Sequence, residues 1–255
     1  MCNLYSMTSN VQAIRDFVRD LERYRELRLH ASVGNLQPLP AIFPDYPAPI
    51  LRNTDDGPEL AMVRWGMPTS GYVQFQAAKK RAAKLAEKQD RKLSDEEFQE
   101  LLANEPDRGV TNVRNTDSKH WKRWLDVPSR CVVPFTSFSE FNKQAGGDIW
   151  FAFDDSRPLA FFAGVRAPQW TSVRKVKEGK VTTDLFAFLT TDPNKEVKAI
   201  HPRAMPVILR TADALQTWLP APWEEAAAMQ KPLPDGELQI VAKGQKKDGP
   251  GDTLA

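Results

Sequence analysis

The sequence predicts an α+β fold: a single β-rich core, mainly antiparallel and barrel-like, flanked by helices and carrying a helical insertion near residues 73–106. Three observations carry this expectation. Six apolar segments of strand length, "RCVVPFTSFSEF", "DIWFAF", "PLAFFAGV", "LFAFLTT", "MPVILR" and "ELQIVA", are rich in β-branched and aromatic residues and are punctuated by Gly, Pro or Asp. Helical patterns lie at the beginning, the middle and near the C-terminus, which segregates helices from strands and argues against alternating βαβ units. At 255 residues, with 41% hydrophobic and 27% charged content, the chain can bury one substantial core.

Taken in order, Val11, Ile14, Val18 and Leu21 recur at three to four residues. They predict an amphipathic helix from Ser9 to about His30, with Ser9 or Thr8 as N-cap. In "NLQPLPAIFPDYPAPILR" prolines every two to four residues exclude helix and predict an extended loop. "LAMVRWGMP" reads as a short strand ended by Gly66 and Pro68. "QAAKKRAAKLAEKQDRK" and "SDEEFQELLANEP" predict two charged helices, the second starting after Ser94, which stands in capping-box spacing to Glu97. Mixed-sign runs of this kind read as a solvated helical face. Beyond the six strand segments' main block, "TADALQTWLPAPWEEAAAMQ" adds short helices. The tail from Gly244, "GQKKDGPGDTLA", reads as disordered. The expected organisation is one domain over 1–243, containing the 73–106 insertion, and a tail over 244–255.

Composition excludes several classes. A net charge of +2 gives no global signature of a nucleic-acid binder, so any such case rests on a local patch. Two distant cysteines and three scattered histidines make neither a disulfide framework nor a metal site, and no cofactor is implied. "IRDFVRDLERYRELRLH" is too charged for a signal peptide, and no apolar run reaches transmembrane length. The expected setting is a reducing cytoplasm or a nucleoid, with no membrane partner, and a monomer is expected.

The candidate chemistry begins at "MCNLY". Removal of Met1 would leave Cys2 with a free α-amine and a thiol on adjacent carbons, although a lone cysteine is more often packing. Cys131, in "RCVVPF", reads as packing. Glu140 lies among Phe135, Phe138 and Phe141 in a run otherwise free of charge. Burial there would raise its pKa toward that of a general acid, whereas strand alternation equally allows it to face water. His201, between an apolar approach and a Pro-containing strand entry in "VKAIHPRAMPVIL", is either a proton carrier or a structural residue. His30 reads as surface, and His120 lies in the basic aromatic window "RGVTNVRNTDSKHWKRW". That window, like Arg64 and Trp65 in "VRWGMP", pairs cations with indoles as single-stranded nucleic acid requires, or else holds core tryptophans beside solvated cations.

The ordered set "MCNLY", "RWGMP", "TNVRNT", "VVPFTSFSEF", "FFAGV" and "IHPRAMPVIL" resembles the SOS response-associated peptidase (SRAP) family, from Met1 to about Leu219. The resemblance implies a protein that removes its own Met1 and binds single-stranded DNA at abasic sites. It would then form a covalent thiazolidine crosslink through Cys2. It implies Cys2 as nucleophile, Asn112 as a catalytic residue that holds the sugar or the ring by hydrogen bonds, Glu140 as acid and His201 as proton carrier. Arg64, Trp65, Arg114 and Arg203 would be the DNA contacts. This chain departs from the family in reading "MCNL" for "MCGR", "SFSEF" for a "GWYEW"-like segment, and "HPRAMP" for the shorter "HxRMP". Two other classes fit some of the residues: an N-terminal-nucleophile amidohydrolase, which usually has Gly where Asn3 stands, and a non-catalytic single-strand binder with a structural Cys2.

Overall fold

The protein's computed structural model describes residues 2–21 and 24–248. Its strands and helices follow the chain as β1 (Leu4–Met7), α1 (Val11–Val18), β2 (Arg28–Leu29), β3 (Leu39–Ile42), β4 (Pro47–Thr54), β5 (Gly57–Trp65), α2 (Gly71–Gln89), α3 (Asp95–Ala103), β6 (Asn112–Val113) and α4 (Lys119–Lys122). They continue as β7 (Arg130–Phe135), β8 (Ser137–Asn142), β9 (Gly147–Ala152), β10 (Ala160–Val173), β11 (Lys180–Thr191), α5 (Lys195–Ile200), β12 (Met205–Pro206), β13 (Ile208–Leu209), α6 (Ala212–Trp218), α7 (Trp223–Ala227) and β14 (Gln239–Lys243).

The expected β-rich core is a closed barrel. β11, β10, β7, β4 and β5 pair antiparallel in that order, and β5 returns to β11 in parallel, with Arg64 opposite Leu185 and Trp65 opposite Phe186. The closing pair makes the barrel mixed. A second sheet, ordered β14-β9-β8-β1-β3 and antiparallel throughout, packs against it. Between them lies an aromatic core in which Phe135 stacks on Phe162 at 3.9 Å and Trp65 on Phe188 at 5.3 Å. Strand β10 spans 14 residues because it serves β7 and β13 with its first half and β11 with its second. It bends where its register shifts between Ala167 and Trp170, beside Gln169 at φ 46°.

The insertion is as expected. α2 and α3 form two helices, the second opened by a complete Ser94–Glu97 capping box. Ala78 is the one buried residue on α2, and α3 has none, so their charges are solvated.

Three expectations are corrected. The first helix stops at Val18 and is capped by Asn10, whose side chain accepts from Ala13 N at 2.9 Å, not by Ser9 or Thr8. Past it, Leu21 and Tyr24 turn into the core, and Arg28 and Leu29 pair in parallel with Glu59 and Leu60. Glu22 and Arg23 lie outside the described residues. His30 is exposed, as expected, and caps a short 3-10 turn. The proline-rich stretch is not a loop but carries β3 and β4. Pro47 and Pro49 are tolerated because β7 pairs with β4 only at Leu51 and Arg52, so on that side neither proline faces a ladder acceptor. Residues 244–248 are docked: Gly244 N donates to Asp148 O at 2.8 Å, Trp150 Nε1 to Gln245 O at 2.8 Å, and buried Asp248 pairs with Arg157. Residues 249–255 of the expected disordered tail lie outside the described residues. Among the described residues no helix is long and apolar enough to cross a membrane.

Cys131 is packing, as expected, and its place defines a tight point of the barrel. Opposite it Gly164 has no room for a side chain: a Cβ there would lie 2.8 Å from Cys131 Sγ and 3.1 Å from Val133 Cγ2. Gly164→Ala is expected to destabilise the fold by about 1–3 kcal/mol through overpacking. Adding Cys131→Ala is expected to recover part of that loss. Denaturant unfolding of the two single variants and the double variant reads the coupling, and strict additivity would show that the two positions do not collide.

Candidate active site

Cys2 is placed by three elements. β1 pairs with β8 on one side, Leu4 opposite Ser139 and Tyr5 opposite Phe138, and with β3 on the other, Tyr5 opposite Ile42. β6, laid parallel to β11 with Asn112 opposite Phe188, supplies the third hold. Asn112 Nδ2 donates to the Cys2 carbonyl at 2.8 Å and to Thr111 Oγ1 at 2.7 Å, and that hydroxyl donates to Asn3 Oδ1 at 2.8 Å. Asn112 Oδ1 is buried without a hydrogen-bond partner among the described residues. Such an acceptor suits an incoming donor, since leaving it unmet costs about 1–3 kcal/mol.

Cys2 is 1% exposed and its Sγ donates to Leu4 O at 3.4 Å. Burial, reinforced by the charge of Glu140, holds its thiol pKa far above the ordinary thiol range, so the group is protonated at neutral pH. Glu140 is itself 2% exposed, which resolves the choice between a buried and a water-facing carboxyl. Burial pushes its pKa up to about 7. His201 follows α5, which Asn142 fastens to the end of β8 by donating from Nδ2 to Ile200 O at 2.9 Å. Its Nδ1 lies 3.2 Å from Ala204 O and 3.9 Å from Glu140 Oε2. A carbonyl only accepts, so the Ala204 contact requires the proton on Nδ1. Partial burial, aided by the charge of Arg203, lowers the His201 pKa below the ordinary imidazole value and favours the neutral ring.

A groove of about 440 Å³ opens over this cluster, its lining including Asn3, Glu140, Phe141, His201, Asp148 and Lys246. Asn3 and Leu4 line the groove, whereas their buried neighbour Cys2 does not. Among the described residues no group of three His, Cys, Asp or Glu side chains is placed to hold a metal.

The structure thus brings together Cys2, Asn112, Glu140 and His201. The expected DNA contacts fare differently. Trp65 is fully buried, donating from Nε1 to Thr111 O at 3.0 Å between Phe186, Phe188 and Tyr5, so it offers no face to a base. Arg64 is clamped on Asp45 by two hydrogen bonds of 2.7 and 2.6 Å and shares that carboxylate with buried Arg174. Arg114 is exposed two residues beyond Asn112 and pairs with Asp192 at 2.6 Å. Arg203 is exposed in the turn between His201 and β12. In the basic window Trp124 is buried under Arg123, whose guanidinium lies 3.9 Å from the ring centroid, and His120 Nε2 sits 2.9 Å from Pro68 O.

Sequence reasoning gave no groove role to Phe141, Asp148 or Lys246. Phe141 is 60% exposed at the groove's edge, and Lys246 pairs with Asp148 at 2.5 Å and lies 5.6 Å from the Phe141 ring. The alternation along β8 signals Phe141, the outward neighbour of inward Glu140. Lys246 carries no local signal because the docking of its segment is purely tertiary.

A model of the SOS response associated peptidase (SRAP) family matches residues 1–243. The chain belongs to this family. No functionally curated protein matches it. Solved structures share the fold, among them the following three. One, from Bacteroides thetaiotaomicron, has 20% identity and a TM-score of 0.56 over 93% of this chain and 90% of the other. Another, from Bordetella bronchiseptica, has 19% identity and a TM-score of 0.57 over 93% and 97%. A phage-related protein of the same bacterium has 18% identity and a TM-score of 0.56 over 93% and 92%. Lys246 lies just past the span that the SRAP family model matches.

The raised Glu140 pKa has a consequence for stability. Between the ordinary carboxyl value of 4.5 and about 7 the unfolded chain has released the proton that the folded chain keeps. Stability from this group therefore falls as pH rises through that window. Glu140→Gln removes the penalty and is expected to gain up to about 3 kcal/mol over the unmodified protein between pH ~4.5 and ~8. Chemical denaturation at both ends of the window measures it; a difference independent of pH would show that Glu140 is ionised in the folded state.

Proposed function

We propose that this SRAP protein captures abasic single-stranded DNA covalently through Cys2, after removing Met1 at the same site, and so shields the lesion. The observation that carries the reading is the juxtaposition of Cys2 with a buried carboxyl that holds its proton near neutral pH. The ring-opened abasic sugar offers an aldehyde. The freed α-amine of Cys2, with an ordinary pKa of about 8, attacks the carbonyl carbon, and loss of one water leaves a C=N bond. The Cys2 S–H then adds across that bond, sulfur to carbon and proton to nitrogen, closing a five-membered thiazolidine. The sequence is redox-neutral and releases one water. Its second attack is intramolecular, which accelerates ring closure.

Each neighbour has a part that its environment supports. Glu140 donates the proton that expels water, and a pKa of about 7 suits that transfer. Asn112 fixes the Cys2 carbonyl and offers its open Oδ1 to the amine or to a sugar hydroxyl. Neutral His201 accepts and returns protons during imine formation and ring opening. Arg114 and Arg203, both exposed, are the cations placed to meet flanking phosphates. Arg64 and Trp65 act instead through the fold.

The test is a denaturing gel after incubation with an abasic oligonucleotide and its intact counterpart. The unmodified protein is expected to leave a band of crosslinked mass on abasic DNA alone. Cys2→Ala is expected to lose it while still binding, and Cys2→Ser to give an adduct only when borohydride traps the imine. A crosslink of equal yield and stability from Cys2→Ala would end the reading.

Time courses separate the two proton carriers. Glu140→Gln is expected to slow crosslink formation by about 10²–10⁴-fold with nearly unchanged binding. His201→Ala is expected to slow formation less and to slow release into excess competitor DNA strongly. Unmodified rates in both directions would make His201 structural.

A further inference from the structure

The proposed chemistry leaves the insertion unused, and the insertion is strongly polarised. α2 carries Lys79, Lys80, Arg81, Lys84 and Lys88 against Glu87, whereas α3 carries four carboxylates and no cation. The two faces do not simply neutralise each other. Val73, Ala77, Lys80 and Lys84, spaced i, i+4, i+7 and i+11, form one stripe of α2, and this stripe lines a groove of about 350 Å³ whose opposite wall includes Glu105 and Arg108. The contact with α3 falls on other positions of the helix: Phe75 meets Phe98 edge-on at 5.6 Å, and Leu85 and Gln89 line a second cleft with Glu97 and Leu101, with Arg81 bordering both clefts.

The first groove therefore gathers Lys80, Arg81, Lys84 and Arg108 around a single carboxylate, Glu105, which lies 3.5 Å from Arg81. A concave surface with an excess of three positive charges concentrates polyanions. Its position also matters. Asp107, 3% exposed, accepts from Thr69 N and Gly109 N, and Met67 bridges to Val110, so the inner end of the groove is built on the segment that leads to Asn112. Arg108 precedes Asn112 by four residues, a chain span of at most about 14 Å. A strand held at Cys2 needs only a few nucleotides to reach the groove.

We propose that this groove binds the sugar–phosphate backbone of the DNA strand flanking the captured lesion, making the inserted hairpin a second contact that lengthens the footprint. The inference rests on the abasic-DNA reading for the presence of that strand at Cys2. The cations supply the affinity through phosphate pairing, which is independent of sequence and weakens with salt. An acidic protein partner would use the same charges but would not link them to the length of DNA bound.

The experiment compares the full chain with its Lys80→Glu/Arg81→Glu/Lys84→Glu variant. The milder Lys80→Ala/Lys84→Ala variant, with circular dichroism on both, guards against loss of fold. Fluorescence anisotropy measures binding to single strands of about five and about 25 nucleotides, each with a central unreactive abasic analogue. On the long strand the triple variant is expected to bind at least tenfold more weakly. Its slope of log K against log salt is expected to be shallower by about 2, the value for three phosphates at about 0.7 each. The double variant should move in the same direction by less, and the short strand should bind all three proteins alike. Equal loss at both lengths, or no loss at either, overturns the proposal. The two readings fail separately: an unmodified protein that forms no crosslink, yet shows length-dependent binding that the variant loses, sinks the Cys2 chemistry and keeps the groove. An unmodified protein that crosslinks the short and long abasic strands normally, with variants that match it throughout, does the reverse.

Discussion

The pairing of β1 between β8 and β3 is the constraint on which the site depends, because Cys2 precedes that strand by two residues and takes its position from it. The ends of chains ordinarily fray. Here four residues near one end are an interior strand, buried on both faces. Tyr5 fixes the register: its ring stands edge-on to Trp65 at 5.1 Å, Phe162 at 5.7 Å and Phe188 at 6.0 Å, contacts that add about 0.5–1.5 kcal/mol each beyond burial. On the other face Ser6 Oγ meets Thr136 Oγ1 at 3.0 Å and Ser137 Oγ at 2.8 Å. A slip of one residue would drive a serine or Leu4 among the rings and carry Cys2 about 3.3 Å along the sheet. The aromatic interior of the barrel thus sets where the reactive end of the chain lies.

That placement brings two buried acids together, and their neighbourhood decides how they ionise. Cys2 and Glu140 are both buried, and each negative charge would raise the cost of the other. The stable arrangement is a neutral thiol beside a carboxyl poised near neutrality. Such a carboxyl can give or take a proton near neutral pH, which a fully exposed carboxylate does far less readily. At the groove Lys246 is held on Asp148, and Arg203 is exposed in the turn after His201.

Most of the architecture was legible in periodicity and composition. The six strand segments, the two insertion helices and the capping box at Ser94 depend on local pattern, which survives folding unchanged. Cys2, Asn112, Glu140 and His201 were legible through their motifs, and the structure gathers them. What local pattern could not carry is pairing. Prolines in β4 look like loop residues until one sees that β7 leaves their side of the strand unpaired. The helical repeat beyond Val18 loses to a parallel pairing of Arg28 and Leu29 with β5. Arg64 and Trp65 suggest a nucleic-acid contact in sequence, but Asp45, nineteen residues earlier, takes the guanidinium, and three rings take the indole. Residues 244–248 read as solvated tail because their anchors, Asp148, Trp150 and Arg157, are distant in the chain.

The barrel also explains how a long insertion can sit so near the site without disturbing it. The excursion leaves after β5 at Gly66 and returns at Gly109, and the guanidinium of Arg174 fills the space beside both: a Cβ on either glycine would come within 2.5 Å of its Nη2. Arg174 is fixed in turn by donating to Gly66 O at 3.1 Å and by pairing with Asp45. Above this buttress, Asp107 ties the two arms together through Thr69 and Gly109, and the Met67–Val110 bridge continues toward Asn112. The ends of the excursion are thus closed by groups outside α2 and α3. With closure secured, added length costs little, since each doubling of a flexible loop adds only about 0.6 kcal/mol. The hairpin contributes almost nothing to the core, so its surface charge is not constrained by the packing that holds Asn112 on the Cys2 carbonyl.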